Sequence, residues 1–306
     1  MPAWVSVVFL IGIGTAFAGY HWLPLAMGML GRGAPTARNF QGRFLPVGGG
    51  IGYLVPLLAA VGLGIGLRVL TVELGASFLF ALAALGFLGF FDDACGDHVY
   101  RGWSGHWRAW RQDRILTTGL FKAGGGGFVA LLVSLALTHP WTGGGSWPGG
   151  VVNGLSWVTG ALFLALATNA LNLLDLRPGR AIKAYYLGIL PPLLLLFAGL
   201  FAEAPGMPPA TSRPQVAAIL LWSATSLLAY LPRELQAEVM IGDTGANPLG
   251  LLFGAAWLVL LPFWGQATGV LLLVWFQRYA GSVSLTETIT RHPWLDRLDR
   301  WGRPDG

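Results

Sequence analysis

Charge is scarce in this chain of 306 residues: Asp, Glu, Lys and Arg make up 11% of it, less than half the roughly 25% usual for soluble domains. Beside 54% apolar residues, that shortage excludes both a disordered chain and an ordinary soluble enzyme. Cysteine is rarer still. Cys95 is the only one, which excludes an internal disulfide and any multi-cysteine metal site. Also missing are an internal repeat, a boundary leading into a soluble domain, and a small-residue cleavage site after the first apolar run. That run is therefore read as a retained membrane span and not as a removed signal peptide.

What the chain has in abundance is apolar length. Its mean hydropathy is +0.61, and its apolar runs recur at about 20 residues, enough to cross the hydrocarbon core. Inside a bilayer every backbone polar group needs a partner within the protein, so each run is read as a helix. The expected fold class is all-α, a polytopic transmembrane helical bundle of about nine spans. They fall at 4–29, 47–67, 76–91, 118–137, 151–174, 182–202, 214–231, 247–263 and 267–279. Residues 1–284 are expected to form the membrane domain. Residues 285–306 are expected to be a cytoplasmic amphipathic tail on the headgroups, interrupted at Pro293.

Lys and Arg decide the orientation, because their excess stays in the cytoplasm. Seventeen of them fall on the side of the first, third, fifth and seventh connections and the tail, and only Arg68 and Arg213 fall on the other. The N-terminus is thus expected outside and the C-terminus cytoplasmic. The same bias accounts for the net charge of +5 with no nucleic acid as partner.

An ionisable group at the edge of a span is costly, so the placing of the 14 acids carries information. Asp92 and Asp93 end the third span, Asp175 follows the fifth, and Asp243 precedes the eighth, all at the inner surface. Carboxylates gathered without thiolates suit a hard cation such as Mg²⁺, bound through one or two carboxylates plus substrate phosphates. The alternative is that they cap helices or balance arginines at headgroup level. Two features count against it: the repulsion of adjacent Asp92 and Asp93, which a cation relieves, and Asn169, Asn172 and Asp175 spaced every three residues toward one helical face.

Glycines form a second theme. Pro46-Val47-Gly48-Gly49-Gly50 and Gly242-Asp243-Thr244-Gly245 open the second and eighth spans, and helix N-termini suit phosphate. Small residues also serve helix packing in membranes, an equally good account of either motif. Lys122 at the start of the fourth span reads either as a snorkelling anchor or as a phosphate ligand.

Taken in order, Arg43-Phe44-Leu45-Pro46-Val47-Gly48-Gly49, Phe91-Asp92-Asp93, Lys122, Asn169-Ala170-Leu171-Asn172-Leu173-Leu174-Asp175 and Gly242-Asp243-Thr244-Gly245 resemble the signature loops of the polyprenyl-phosphate N-acetylhexosamine-1-phosphate transferases. The resemblance extends over nearly the whole chain. It implies a Mg²⁺-dependent membrane enzyme of cell-envelope glycan synthesis, in the bacterial inner membrane, whose partners are a UDP-sugar and a polyprenyl phosphate. By resemblance, Asp92, Asp93 and Asp243 are the catalytic and metal-binding residues. The same resemblance gives Lys122, Asn169, Asn172, Asp175, Gly48, Gly49 and Gly245 to the substrates. Arg177 and Arg180 read by their charge equally well as diphosphate ligands or as ordinary positive-inside residues, and Arg291 and His292 of the tail are expected to close over the donor.

The chain departs from the family where a second aspartate is usual, since Pro178 stands there, and where a histidine cluster is usual, since only His292 is present. Two other classes therefore stay open, a non-catalytic relative acting as scaffold or regulator, and a transporter. Whether the protein forms a homodimer is also open.

Overall fold

The computed structural model describes residues 3–96, 105, 107–138, 151–199 and 211–304. Arg101, one of the seventeen inner-side cations, and residues 200–202 at the end of the sixth expected span lie outside the described residues. Nine long helices among the described residues follow the nine apolar runs: α1 (Ala3–Gly33), α2 (Ile51–Gly66), α3 (Val72–Cys95), α4 (Thr118–Thr138), α5 (Val151–Leu174), α6 (Arg180–Ala198), α7 (Ser212–Leu235), α8 (Gly242–Leu258) and α9 (Phe263–Ser282). Six of them, α1 and α3 to α7, are long and apolar enough to cross a membrane. The protein is an all-α membrane bundle.

The exceptions are instructive. Helix α2 has 16 residues and α8 has 17, about 24 to 26 Å at 1.5 Å per residue, which falls short of the roughly 30 Å core. Helix α8 is an interior element, and α2 buries one face. Helix α8 packs on α2, α3, α5, α6 and α7, and residues Thr244–Leu252 along it are buried without a break. Small residues permit this enclosure: a Cβ on Gly250 would stand 2.5 Å from the Thr168 Cα of α5. Several buried polar groups are paired across helices, as bilayer burial favours. The Trp222 indole donates to the Val8 carbonyl, the Tyr53 hydroxyl to the Gly245 carbonyl at 2.6 Å, and the Ser226 hydroxyl to the Tyr53 carbonyl.

Two features lie at the helix ends where the cations gather. Between α1 and α2, strands β1 (Thr36–Arg38) and β2 (Phe44–Pro46) pair antiparallel as a hairpin. An Asx turn closes it, with Asn39 Oδ1 accepting the amides of Gln41 and Arg43 at 2.9 Å. The tail folds as α10 (Leu285–Thr290) and α11 (Pro293–Arg300), and the break falls at Pro293 as expected. It also grips the bundle: the Lys183 ammonium of α6 donates to the carbonyls of Leu298, Asp299 and Trp301.

Candidate functional site

Where these helix ends meet, a cavity of about 1380 Å³ opens. Its polar wall carries Asp92 and Asp93 from the end of α3, Lys122 from the first turn of α4, Asn169 from α5, Asp175 and Arg177 from the α5–α6 connection, and Asp243 from the start of α8. Gly48 and the hairpin residues Arg38, Asn39 and Phe40 line it from another side. Leu85, Gly126, Gly127, Leu162, Ala165 and Leu166 continue the wall as an apolar trough. Thus residues more than a hundred positions apart in the chain share one space.

At its centre is a cation between two acids. Lys122 Nζ donates to Asp92 Oδ2 at 2.6 Å and also to Asp243 Oδ2. The two carboxylates, from α3 and α8, thereby converge on one positive point. Asp93 has different work. Its Oδ1 accepts the amide of Asp243 at 3.1 Å, and its Oδ2 accepts the amide and hydroxyl of Thr244 at 3.1 and 2.8 Å. An N-terminal helix turn leaves such N–H groups without partners; here a carboxylate from another helix caps it.

This corrects the phosphate sites expected at the two glycine motifs. The start of α8 already holds an anion, Asp93, and the Gly50 amide at the start of α2 donates to the Ile241 carbonyl. Gly49 and Gly245 do not line the cavity. They allow backbones to touch: a Cβ on Gly49 would be 2.2 Å from the Met240 carbonyl oxygen, and one on Gly245 would be 3.0 Å from the Gly50 Cα. Gly49 and Gly245 thus serve packing, while Gly48 of the first motif lines the cavity.

Asp175 sits just beyond α5. Burial, then the charges of Asp243 and Asp93, push its carboxyl up to about 7. The two arginines that follow part ways. Arg177 lines the cavity, with its guanidinium over the Phe40 ring at 5.0 Å. Arg180, expected on a diphosphate, is buried and forks onto Asp299 of α11 at 2.8 and 2.9 Å, with a third bond to Thr286. Burial alone would raise the Asp299 carboxyl, but the bonds and charges of Arg180 and Arg303 hold it below the ordinary range.

Other expected residues stand apart. Asn172 is not in the cavity wall; its carbonyl accepts the Asp175 amide. Arg291 is exposed and pairs with Glu287 one turn back, and His292 Nδ1 meets the Thr288 carbonyl at 2.9 Å, so neither reaches the cavity. Their short helices belong to the docked tail. Residues the sequence reading passed over do line it: Asn247, Glu234 and Gln277. Asn247 had a readable signal, since it lies four residues after Asp243 on the same helical face. Glu234, with Oε1 3.4 Å from the Gly179 amide, was one more acid at a span end. Gln277 accepts the Asn169 amide at 2.9 Å.

The donor set bears on Mg²⁺. Among the described residues no group of three or more His, Cys, Asp or Glu side chains could hold a metal ion. An all-protein cage is therefore not what this wall offers. Two carboxylates converging on one cationic point fit instead the mode in which Mg²⁺ takes one or two carboxylates and completes its shell with water and substrate phosphates. No protein-family model matches the sequence, and no curated protein matches it.

Proposed function

We propose that the protein transfers a sugar-1-phosphate from a UDP-sugar to a polyprenyl phosphate, with Mg²⁺, and releases UMP, as a distant member of the transferase family its loops resemble. One observation carries this reading: Asp92 and Asp243, from separate helices, share the Lys122 ammonium in a cavity that continues as an apolar trough. An ionic centre joined to an apolar trough suits a reaction between a charged water-soluble donor and a phosphate on a lipid.

The transfer forms a P–O bond between a lipid phosphate oxygen and the β-phosphorus of the donor. It breaks the bond from that phosphorus to the bridging oxygen, which leaves on UMP. Such a reaction needs alignment and charge neutralisation more than covalent help. Asp92 and Asp243 would hold Mg²⁺, which when bound supplies Lewis-acid neutralisation of phosphate oxygens. Lys122 places a second positive charge beside them. Asp93 keeps Asp243 in position through the first turn of α8. Asp92, at the end of α3, would face the lipid phosphate from beside Lys122. Asn169 and Asp175 face the donor.

The excess of Lys and Arg at the cavity end of the bundle supports a cytoplasmic mouth, with the N-terminus outside. Nine crossings follow if the short α2 and α8 and the less apolar α9 count with the six. The reading implies the bacterial inner membrane and cell-envelope glycan synthesis. The test is to incubate the purified protein with polyprenyl phosphate, Mg²⁺ and a panel of UDP-sugars. UMP formed with one of them supports the proposal; none formed with any contradicts it.

A further inference from the structure

The hairpin and the α5–α6 connection each bring an arginine to the cavity wall, Arg38 and Arg177. Both are stacked on phenylalanines of the same hairpin. Antiparallel register sets Arg38 opposite Phe44, and the guanidinium carbon lies 4.9 Å from that ring's centroid. Arg177 lies 5.0 Å from the centroid of Phe40. Among the described residues the ion pairs involve Lys122, Arg180, Arg233, Arg291, Arg300 and Arg303, and neither Arg38 nor Arg177.

The contrast with Arg180 is informative. Three residues beyond Arg177, it is buried, with one edge forked onto Asp299 and the remaining terminal nitrogen on Thr286. A guanidinium stacked by its face keeps its N–H edge free, already oriented, for the fork that matches two phosphate oxygens. The stack removes much of the freedom that a long side chain otherwise loses on binding. The same cavity is lined by Asp92, Asp175 and Asp243, which would repel an entering anion unless positive charge at the wall offset them.

We propose that Arg38 and Arg177 form an anion subsite of this cavity that takes the diphosphate of a nucleoside-diphosphate donor, each guanidinium held by a hairpin phenylalanine. Arg38 takes the place that the sequence reading gave to Arg180. The identity of the donor rests on the transferase reading; the preference for a diphosphate over a monophosphate does not.

Calorimetry on the full-length protein, without Mg²⁺ and at fixed ionic strength, tests this with UDP, UMP and inorganic pyrophosphate. Wild type is expected to bind UDP about tenfold more tightly than UMP, the scale of one charge-assisted hydrogen bond. Arg38→Gln or Arg177→Gln should each remove most of that preference and leave UMP affinity unchanged. Arg177→Lys and Phe40→Leu, which keep a charge but lose the stack, should weaken UDP binding by about threefold. Unchanged UDP affinity in the Arg38→Gln/Arg177→Gln double variant, with an unchanged unfolding temperature, overturns the proposal. Binding of none of the three ligands by wild type overturns it too. Arginine-dependent binding of pyrophosphate with no uridine nucleotide bound more tightly keeps the subsite and sinks the uridine donor.

Discussion

The carboxylate of Asp93 accepts the backbone amide of Asp243 at 3.1 Å, so the end of α3 fixes the start of a helix 150 positions along the chain. Through this contact Asp93 holds the first turn of α8, while Asp92 and Asp243 share the Lys122 ammonium. Asp93→Ala strands three donors, at about 1–3 kcal/mol for each that stays buried. The expected outcome is a lower unfolding temperature and a Mg²⁺ affinity reduced by at least about tenfold, a 1.4 kcal/mol loss, both read by Mg²⁺ titration and thermal unfolding. Asp93→Asn should fall between, since it keeps one acceptor oxygen.

Gly89 offers a test that changes no charge. A Cβ there would stand 2.2 Å from the Asp243 carbonyl oxygen. Gly89→Ala must push α3 and α8 apart, and such overpacking costs about 1–3 kcal/mol. Turnover is expected to fall by more than tenfold while the protein still binds detergent micelles as a folded monomeric or oligomeric species. Normal turnover would show that the spacing of these two helices does not set the site.

The raised carboxyl of Asp175, at about 7, gives a pH signature. Unfolded, the group titrates near 3.8, so between these values the folded state holds the extra proton. Its contribution to stability is therefore present at low pH and lost as pH rises toward 7, where the half-buried group must ionise. A dication nearby favours the ionised form, so Mg²⁺ affinity is expected to rise as pH climbs through about 7 and then level off. The shift in unfolding temperature caused by Mg²⁺ should grow from pH 6 to 8, and Asp175→Asn should flatten that growth.

Asp299 joins the tail to the bundle through Arg180 of α6 and braces Arg303 within the tail. Removing one partner of a buried pair costs about 3–5 kcal/mol. Asp299→Ala should release the tail, seen as new protease cleavage after residue 284 with the membrane helices intact. Retained protection would mean that Lys183, through the carbonyls it binds, is sufficient.

The helices were largely legible because apolar length is a local property. Runs expected at 118–137 and 151–174 became Thr118–Thr138 and Val151–Leu174. Boundaries set by distant partners were not legible. Helix α8 starts at Gly242 and not at 247, because Asp93 caps it from α3. The acids could be picked out since charge is rare at span ends, and Asp92, Asp93, Asp175 and Asp243 do share one cavity. Their division of labour could not. Arg180 looked free in the sequence because its partner, Asp299, lies 119 positions away.

The central claim is that Asp92 and Asp243 together serve one divalent ion in phosphoryl transfer. The most direct measurement is UMP release from a UDP-sugar and polyprenyl phosphate by wild type, Asp92→Asn and Asp243→Asn, each shown to be folded by its unfolding temperature. The account predicts Mg²⁺-dependent release by wild type and loss of at least about a thousandfold in Asp243→Asn, roughly 4 kcal/mol of transition-state stabilisation. Release by Asp243→Asn at the wild-type rate would contradict it.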